Sequence, residues 1–217
     1  MDTQNIDIIE LLRKIDENDY KKNVDLHIHS NFSDGLLSPQ EILQNAQENN
    51  YELIAISDHN TIEAYKNSDI LLNKMILPAI EFDCWYKCIL IHILGYGVDV
   101  NNVELLSYCA RCKKETEADL VRLFNRRHPK DIIKAIHNAG GVAVLAHPAC
   151  YWAVNLEHYV KSLVKLGLDG LEVFYPYRRH RGVIKFHRAS SVKKIATKLN
   201  LLMTGGSDSH KFIEKIY

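Results

Sequence analysis

Short apolar runs recur along the chain, several of them alternating with polar residues, and this pattern is typical of buried β-strands. Seven segments are expected to form or contain strands: 24–30, 53–57, 75–82, 89–97, 142–148, 170–175 and 201–210. The third and fourth would form a hairpin, because WYKC (85–88) between them has the composition of a turn. The pattern therefore predicts a sheet with one hairpin.

Between these segments, apolar residues recur at helical spacing. Helices are expected over 5–20, 38–49, 61–72, 101–125, 130–139, 155–166 and 188–199. Strands that alternate with helices indicate an α/β fold with a mainly parallel sheet, and seven strands favour a distorted (β/α)7 barrel over an open sheet. We expect an N-terminal helical extension at 1–22 and one domain at 23–217.

Composition sets the broad class of protein. The chain has 217 residues, 47% of them hydrophobic, and 27 basic residues balance 27 acidic ones. This balance argues against a protein that coats nucleic acid through charge alone. We expect no membrane span and a cytoplasmic location, because there is no apolar run of ~20 residues and no signal-peptide pattern. Five cysteines leave a four-cysteine zinc site as an alternative, although partly buried thiols are more common.

Histidines supply the first indication of chemistry. Six of the 11 lie within predicted strands or just beyond them: His27, His29, His59, His92, His147 and His210. Residues two apart on a strand share a face, so His27 and His29 should project together. Any one of these histidines alone would more often be structural, but the repeated position indicates a common site. The remaining five are expected to be solvated (His128, His137, His158) or are left open (His180, His187).

Carboxylates accompany these histidines. Asp34, Asp58 and Asp208 lie close to them in sequence, and Glu81 lies at the end of the third predicted strand, inside the apolar run PAIEF. A carboxylate in such a position costs several kcal/mol unless it is paired or binds a metal. Imidazole and carboxylate groups together bind zinc, manganese or iron. The sequence therefore predicts a metal site where the strands end, the usual place for active sites in β/α barrels.

The ordered set of motifs resembles the PHP (polymerase and histidinol phosphatase) superfamily. The matching segments are DLHIHSNFSDGLLSP, AISDHNT, the glutamate of PAIEF, the histidine of IHILGYG, AHP and GGSDSH, which together span about residues 24–210. The resemblance implies a distorted seven-stranded barrel, a metal-dependent phosphoesterase activity and a site for two or three divalent ions (Mn²⁺, Fe²⁺ or Zn²⁺). It is strongest to members that act on 3′,5′-bisphosphonucleotides and short oligonucleotides.

The resemblance also implies a ligand set. The first ion would be held by His27, His29, Glu81 and Asp208, the second by Glu81, His92 and His147, and the third by Asp34, His59 and His210. Glu81 would then be a catalytic residue that bridges two ions, and a hydroxide between them would attack phosphorus. Asp58 is not among the matched ligands, and we expect it to support catalysis by hydrogen-bonding a ligand imidazole and fixing its tautomer.

Two departures from the family pattern bear on the substrate. The helical insert between the hairpin and AHP is absent, and the segment after AHP reads ACYWAVN, without an arginine. A basic segment after the sixth strand offers other phosphate and base contacts: Tyr175, Tyr177, Arg178, Arg179, His180 and Arg181. A solvated loop is the alternative interpretation.

We expect a small phosphorylated substrate, no membrane and no obligatory protein partner. Three alternatives remain open at this point. The substrate could be histidinol phosphate or another small metabolite, the reaction could be exonucleolytic trimming of short RNA, or the chain could be a non-catalytic metal-binding module.

Overall fold

The computed structural model of the chain describes residues 3–66, 69–124, 126–177 and 187–211, with side chains from residue 8 onward. All seven predicted strands are present within these ranges. They are β1 (Val24–Ile28), β2 (Leu53–Ile56), β3 (Ala79–Tyr86), β4 (Ile89–Tyr96), β5 (Val142–Leu145), β6 (Gly170–Phe174) and β7 (Leu202–Gly205). The mixed α/β class is confirmed.

Nine helices lie within the described residues. They are α1 (Thr3–Lys14), α2 (Glu17–Lys22), α3 (Pro39–Glu48), α4 (Val103–Tyr108), α5 (Lys114–Glu117), α6 (Asp119–Arg122), α7 (Pro129–Asn138), α8 (Leu156–Val164) and α9 (Ala189–Lys198). Short 3₁₀ turns cover Glu63–Tyr65, Asp69–Leu72 and Pro148–Cys150. None of the described helices is long and apolar enough to cross a membrane.

The described strands form two sheets. β1 and β2 pair in parallel, and the second sheet has the order β3-β4-β5-β6-β7, antiparallel across its first two pairs and parallel across the last two. Isolated bridges join the sheets on both sides: His59 to Glu81 on one, Ile28 to Ser209 on the other. A continuously hydrogen-bonded (β/α)7 barrel is therefore not confirmed, but the two sheets enclose one space.

The β3–β4 hairpin differs in detail from its prediction. β3 continues to Tyr86, so the turn is only Lys87 and Cys88, which both adopt positive φ (49° and 61°). Two consecutive left-handed residues form the tight hairpin turn whose twist suits the flanking strands. Because β3 extends beyond residue 82, Glu81 lies in its first half and not at its end.

Three predicted helices are wrong in length. The helix expected over 5–20 divides at Asp16, whose side chain accepts from the backbone of Asn18 and Asp19 and starts α2. The helix expected over 61–72 consists of 3₁₀ turns. The helix expected over 101–125 divides into α4, α5 and α6. In that segment Ala110 N donates to Asn60 O, so tertiary contacts override local helical spacing.

Candidate metal centre

The nine predicted ligands converge. His27 comes from β1, Glu81 from β3 and His92 from β4. His29 directly follows β1, and loops after β1, β2, β5 and β7 supply the other five. Contacts no longer than 3.6 Å between side chains connect them all: His27, His29, Asp34, His59, Glu81, His92, His147, Asp208 and His210. Gly206 permits part of this approach, because a Cβ there would collide with His27. The structure therefore brings the nine predicted ligands together, and that they bind metal stays a prediction.

The tightest part of the centre surrounds Glu81. His27 Nε2 lies 3.1 Å from His29 Nε2, and each lies 3.3 Å from Glu81 Oε2. Asp208 Oδ1 lies 3.5 Å from His27 Nε2 and 3.2 Å from His29 Nε2. The other oxygen of Glu81, Oε1, lies 3.0 Å from His92 Nδ1 and 3.4 Å from His147 Nε2. We call these six residues the Glu81 side.

These distances fit a bound metal ion. Ligands about 2.1 Å from a tetrahedral ion are about 3.4 Å from one another, close to the separations around Glu81. His27 Nδ1 donates to Glu172 Oε1 (2.9 Å), and in the neutral form of the ring this tautomer leaves Nε2 free to bind an ion. Glu81 Oε2 is buried and, among the described residues, has no hydrogen-bond partner. A buried carboxylate oxygen without a donor is costly, and a cation would satisfy it.

The carboxylates of this side attract positive charge. Burial alone would lower the pKa of His29, but Asp208 and Glu81 raise it to about 10. Burial opposes ionisation of Glu81, yet the surrounding imidazoles, first His27, hold the pKa of that carboxyl well below its usual range. The pocket thus favours a cation, whether protons on imidazole or a metal ion.

The opposite edge, which we call the Asp34 side, consists of Asp34, His59 and His210. Asp34 Oδ1 lies 3.3 Å from His210 Nε2, and Asp34 Oδ2 lies 3.6 Å from His59 Nε2. Asp34 Oδ1 is buried without a hydrogen-bond partner among the described residues. Burial lowers the pKa of His59 to about 4, so this ring is neutral at physiological pH. His29 Nδ1, 3.5 Å from Asp34 Oδ1, connects the two sides.

Three residues of the centre were missed by the sequence analysis. Glu172 orients His27, Asp83 lies 3.2 Å from His92 Nε2, and the guanidinium of Arg122 reaches the Asp34 side. Glu172 and Asp83 are both fully buried. Each is an acid within an apolar strand, the signal already used for Glu81, and could have been found by it. No local pattern marks Arg122.

Asp58 does not hydrogen-bond a ligand imidazole, contrary to expectation. Its Oδ1 accepts from Ser30 N (2.7 Å) and Ser33 Oγ (2.6 Å), and its Oδ2 accepts from Ser30 Oγ (2.6 Å). Ser33 Oγ in turn lies 3.5 Å from His29 Nδ1. Asp58 therefore anchors the turn after β1 and reaches the imidazole only through serine.

Of the residues predicted to contact the substrate, only the two tyrosines lie in the described part of the chain. Tyr175 lies in the centre, where its hydroxyl donates to Asp208 Oδ2 (2.6 Å) and its ring packs 5.3 Å from that of His147. Arg178, Arg179 and Arg181 lie outside the described residues.

The remaining histidines and the cysteines lie elsewhere. His137 is not merely solvated, because its Nε2 lies 2.7 Å from Asp169 Oδ2, whereas His158 is exposed as expected. Within the described residues, no group able to hold a metal includes a cysteine.

Comparison with known proteins identifies the family. A family model described as "PHP domain" matches residues 25–196, most of the chain, which therefore belongs to the PHP domain family. A 5′-3′ exoribonuclease of Haemophilus influenzae is 26% identical over 149 residues, which is 67% of this chain and 52% of that protein. A 3′,5′-nucleoside bisphosphate phosphatase of Chromobacterium violaceum is 28% identical over 165 residues, 71% of this chain and 54% of its own length.

The chain thus spans about half the length of these two relatives. A third, the phosphoribosyl 1,2-cyclic phosphate 1,2-diphosphodiesterase of Eggerthella lenta, is 22% identical over 255 aligned positions and is covered over 93% of its length, with 86% of this chain. Among solved structures, a metal-dependent phosphoesterase from Bifidobacterium adolescentis has a TM-score of 0.68 at 20% identity, covering 90% of this chain and 89% of its own. The fold is therefore shared.

Proposed function

We propose that this PHP-family chain is a metal-dependent phosphoesterase that hydrolyses phosphomonoesters of nucleotides or short oligonucleotides. The observation that carries the proposal is the fully buried carboxylate of Glu81, which faces imidazoles on both oxygens and leaves Oε2 without a donor among the described residues. An uncompensated buried carboxylate costs several kcal/mol, so an arrangement of this kind is expected where a cation binds.

The proposed ligand set is the one that the family pattern implies. One ion would be held by His27, His29, Glu81 and Asp208, and a second by Glu81, His92 and His147. The family pattern assigns a third to Asp34, His59 and His210. When bound, such ions lower the pKa of water toward ~7 and neutralise charge on a phosphoryl group. Histidine and carboxylate ligands are compatible with Mn²⁺, Fe²⁺ and Zn²⁺.

The protein's own residues orient these ligands. Glu172 accepts from His27 Nδ1 and also, through Oε2, from His147 N (2.7 Å), so one buried carboxylate positions ligands of both ions on the Glu81 side. Tyr175 holds Asp208 through its hydroxyl. These hydrogen bonds would hold the proposed ligands in place when an ion binds.

The cleft above the centre constrains the substrate. It has a volume of about 410 Å³, and Glu117 and Asp119 stand at its wall. Of the described residues that line it, Arg122 is the one cation other than histidine. A phosphate must therefore be neutralised by metal ions, by Arg122 or by residues outside the described part. We propose that Arg178, Arg179 and Arg181 contribute, as their sequence position after β6 suggests.

A second candidate is hydrolysis of a small phosphorylated sugar or other small metabolite. The Eggerthella lenta relative favours it, because that protein is matched over 93% of its length, far more than the two nucleic-acid-related proteins.

A substrate panel separates these candidates. We would measure product formation by chromatography, which detects both released phosphate and the monoesters formed from phosphodiesters. The substrates are nucleoside 3′,5′-bisphosphates, short oligonucleotides, histidinol phosphate, and sugar phosphates including 1,2-cyclic ones, each with Mn²⁺ and after treatment with a chelator. We expect nucleotide substrates to be preferred by tenfold or more in kcat/KM and activity to disappear on chelation. The sugar phosphates as best substrates would favour the second candidate. Absence of metal-dependent hydrolysis on every compound would favour a non-catalytic module.

A further inference from the structure

Arg122 places a guanidinium inside the metal centre. Its side chain is 6% exposed, and Nη1 donates to Asp34 Oδ2 (3.0 Å). Its Nη2 lies 2.7 Å from His59 Nε2 and 2.9 Å from His59 Nδ1. Both contacted residues belong to the Asp34 side, where the family pattern assigns a third ion.

The carboxylate of Asp83 holds the guanidinium in this position. Arg122 Nε donates to Asp83 Oδ2 (3.0 Å) and Nη2 donates to Asp83 Oδ1 (3.1 Å), and Asp83 is fully buried. Two parallel bonds from an arginine to a carboxylate are among the strong, geometrically specific ion pairs. Asp83 is not one of the nine predicted ligands, so no ion requires it. It can therefore hold the Arg122 guanidinium and orient His59 and His92.

The guanidinium and a third ion would compete for the same atoms. Asp34 Oδ2 and His59 Nε2 are 3.6 Å apart, and the two terminal nitrogens of Arg122 lie within 3.0 Å of them. Arginine does not lose its charge in proteins, so it cannot yield to a cation by deprotonation. Two positive groups at this separation repel each other strongly in a poorly solvated site.

We propose that Arg122 is a built-in cation that takes the place of the third metal ion, so that the centre binds two ions, both on the Glu81 side. This inference rests on the metal centre of the proposed function and not on any substrate. It predicts that the number of ions is set by the charge at position 122, because the ligand atoms of His29, Asp34, His59 and His210 already lie within 4.8 Å of one another.

The test is a count of metal per chain. Metal-free protein would be dialysed against Mn²⁺, passed through a desalting column and analysed by elemental mass spectrometry. We expect two equivalents in wild type, three in Arg122→Gln, which removes the charge, and two in Arg122→Lys, which keeps a cation. His158→Ala, an exposed histidine outside the centre, is the matched control and should bind two.

Several results would overturn the inference: three equivalents in wild type, an unchanged or lower count in Arg122→Gln, or three in Arg122→Lys. Circular dichroism melting establishes that each variant is folded. If Arg122→Gln does not fold, the wild-type and Arg122→Lys counts still decide, since three in either contradicts it. Fewer than two in wild type would overturn both this inference and the metal centre, whereas two ions without hydrolysis would count against the enzyme proposal alone.

Discussion

The Glu81 side and the Asp34 side of the centre contain the same kinds of side chain, but the negative charge of their carboxylates is compensated differently. On the Glu81 side, the ligands are mostly buried, and His27, Glu81 and His92 lie in regular strands. Their carboxylates face imidazoles whose available nitrogens point into one small space. On the Asp34 side, the ligands lie in loops and His210 is 35% exposed, and an arginine inserts among them.

The difference shows two ways to stabilise clustered carboxylates. On the Glu81 side, strands hold three of the proposed ligands and the segments just after strands hold the other three, at distances suited to an ion that comes from outside the protein. On the Asp34 side, the guanidinium of Arg122, the last residue of α6, lies between the loops and supplies a positive charge that is part of the chain. An ion can be removed by a chelator and a guanidinium cannot, so the two sides should respond differently to the same treatments.

The largest expected effect follows from Glu81→Gln. An amide cannot supply the charge that both ions need, and loss of several kcal/mol of charge stabilisation corresponds to about a thousandfold or more in turnover. We expect hydrolysis nearly to disappear and metal content to fall, while circular dichroism and the unfolding temperature show a folded protein.

His158→Ala is the control for this variant, and His137→Ala is less suitable because His137 contacts Asp169. Wild-type turnover and metal content in Glu81→Gln would show that Glu81 does not join two ions.

Glu172→Gln should weaken the Glu81 side without touching a proposed ligand atom. The amide can donate to His27 Nδ1 and would favour the wrong tautomer, with its proton on Nε2 toward the centre. Loss of such an orienting carboxylate typically costs about 10- to 100-fold in metal affinity or activity. Titration with Mn²⁺ measures this, and added metal should partly restore the rate. An unchanged affinity would mean that the strands alone orient His27.

A further variant replaces three arginines with alanine: Arg178, Arg179 and Arg181. It tests whether these side chains bind the substrate's phosphate in addition to the metal ions and Arg122. Loss of one charge-assisted phosphate contact costs about 1.5–3 kcal/mol, or roughly ten- to a hundredfold in binding. We expect KM for nucleotides to rise by that factor with kcat less affected, and salt to weaken wild-type binding more than that of the variant. Wild-type kinetics at low salt would assign the phosphate to another group.

The smallest effect on the reaction is expected from Asp58→Asn. Asp58 holds Ser30 and Ser33 and reaches His29 only through Ser33, so the amide should loosen the turn after β1. We expect the free energy of unfolding to fall by about 1–3 kcal/mol. Turnover should fall less than tenfold at saturating metal. A loss of turnover comparable to that of Glu81→Gln would place Asp58 in the chemistry itself.

The sequence predicted which residues gather at the centre better than it predicted the helices around it. All nine proposed ligands could be brought together by prediction because each is a histidine or acid in a strand or in the loop that follows one, where the α/β pattern brings distant residues together. Glu172 was missed although it follows the same rule as Glu81. Both residues lie inside apolar runs, GLEVF and PAIEF, where a buried acid needs a partner.

Arg122 could not be found in this way. Its segment has helical spacing over 101–125, but the chain breaks into three short helices that contact the loops after β1 and β2, for example through Thr116 Oγ1 and Phe32 O (3.1 Å). Only this tertiary arrangement brings the guanidinium to Asp34 and Asp83. The two sheets are also joined by isolated bridges that no periodicity reveals.

Anomalous diffraction from crystals equilibrated with Mn²⁺ tests the central claim most directly, because it places each ion relative to both sides. We predict one peak bounded by His27, His29, Glu81 and Asp208, a second beside Glu81, His92 and His147, and the guanidinium of Arg122 between Asp34 and His59. No peak within contact distance of Glu81, at a Mn²⁺ concentration that supports activity, would contradict the account.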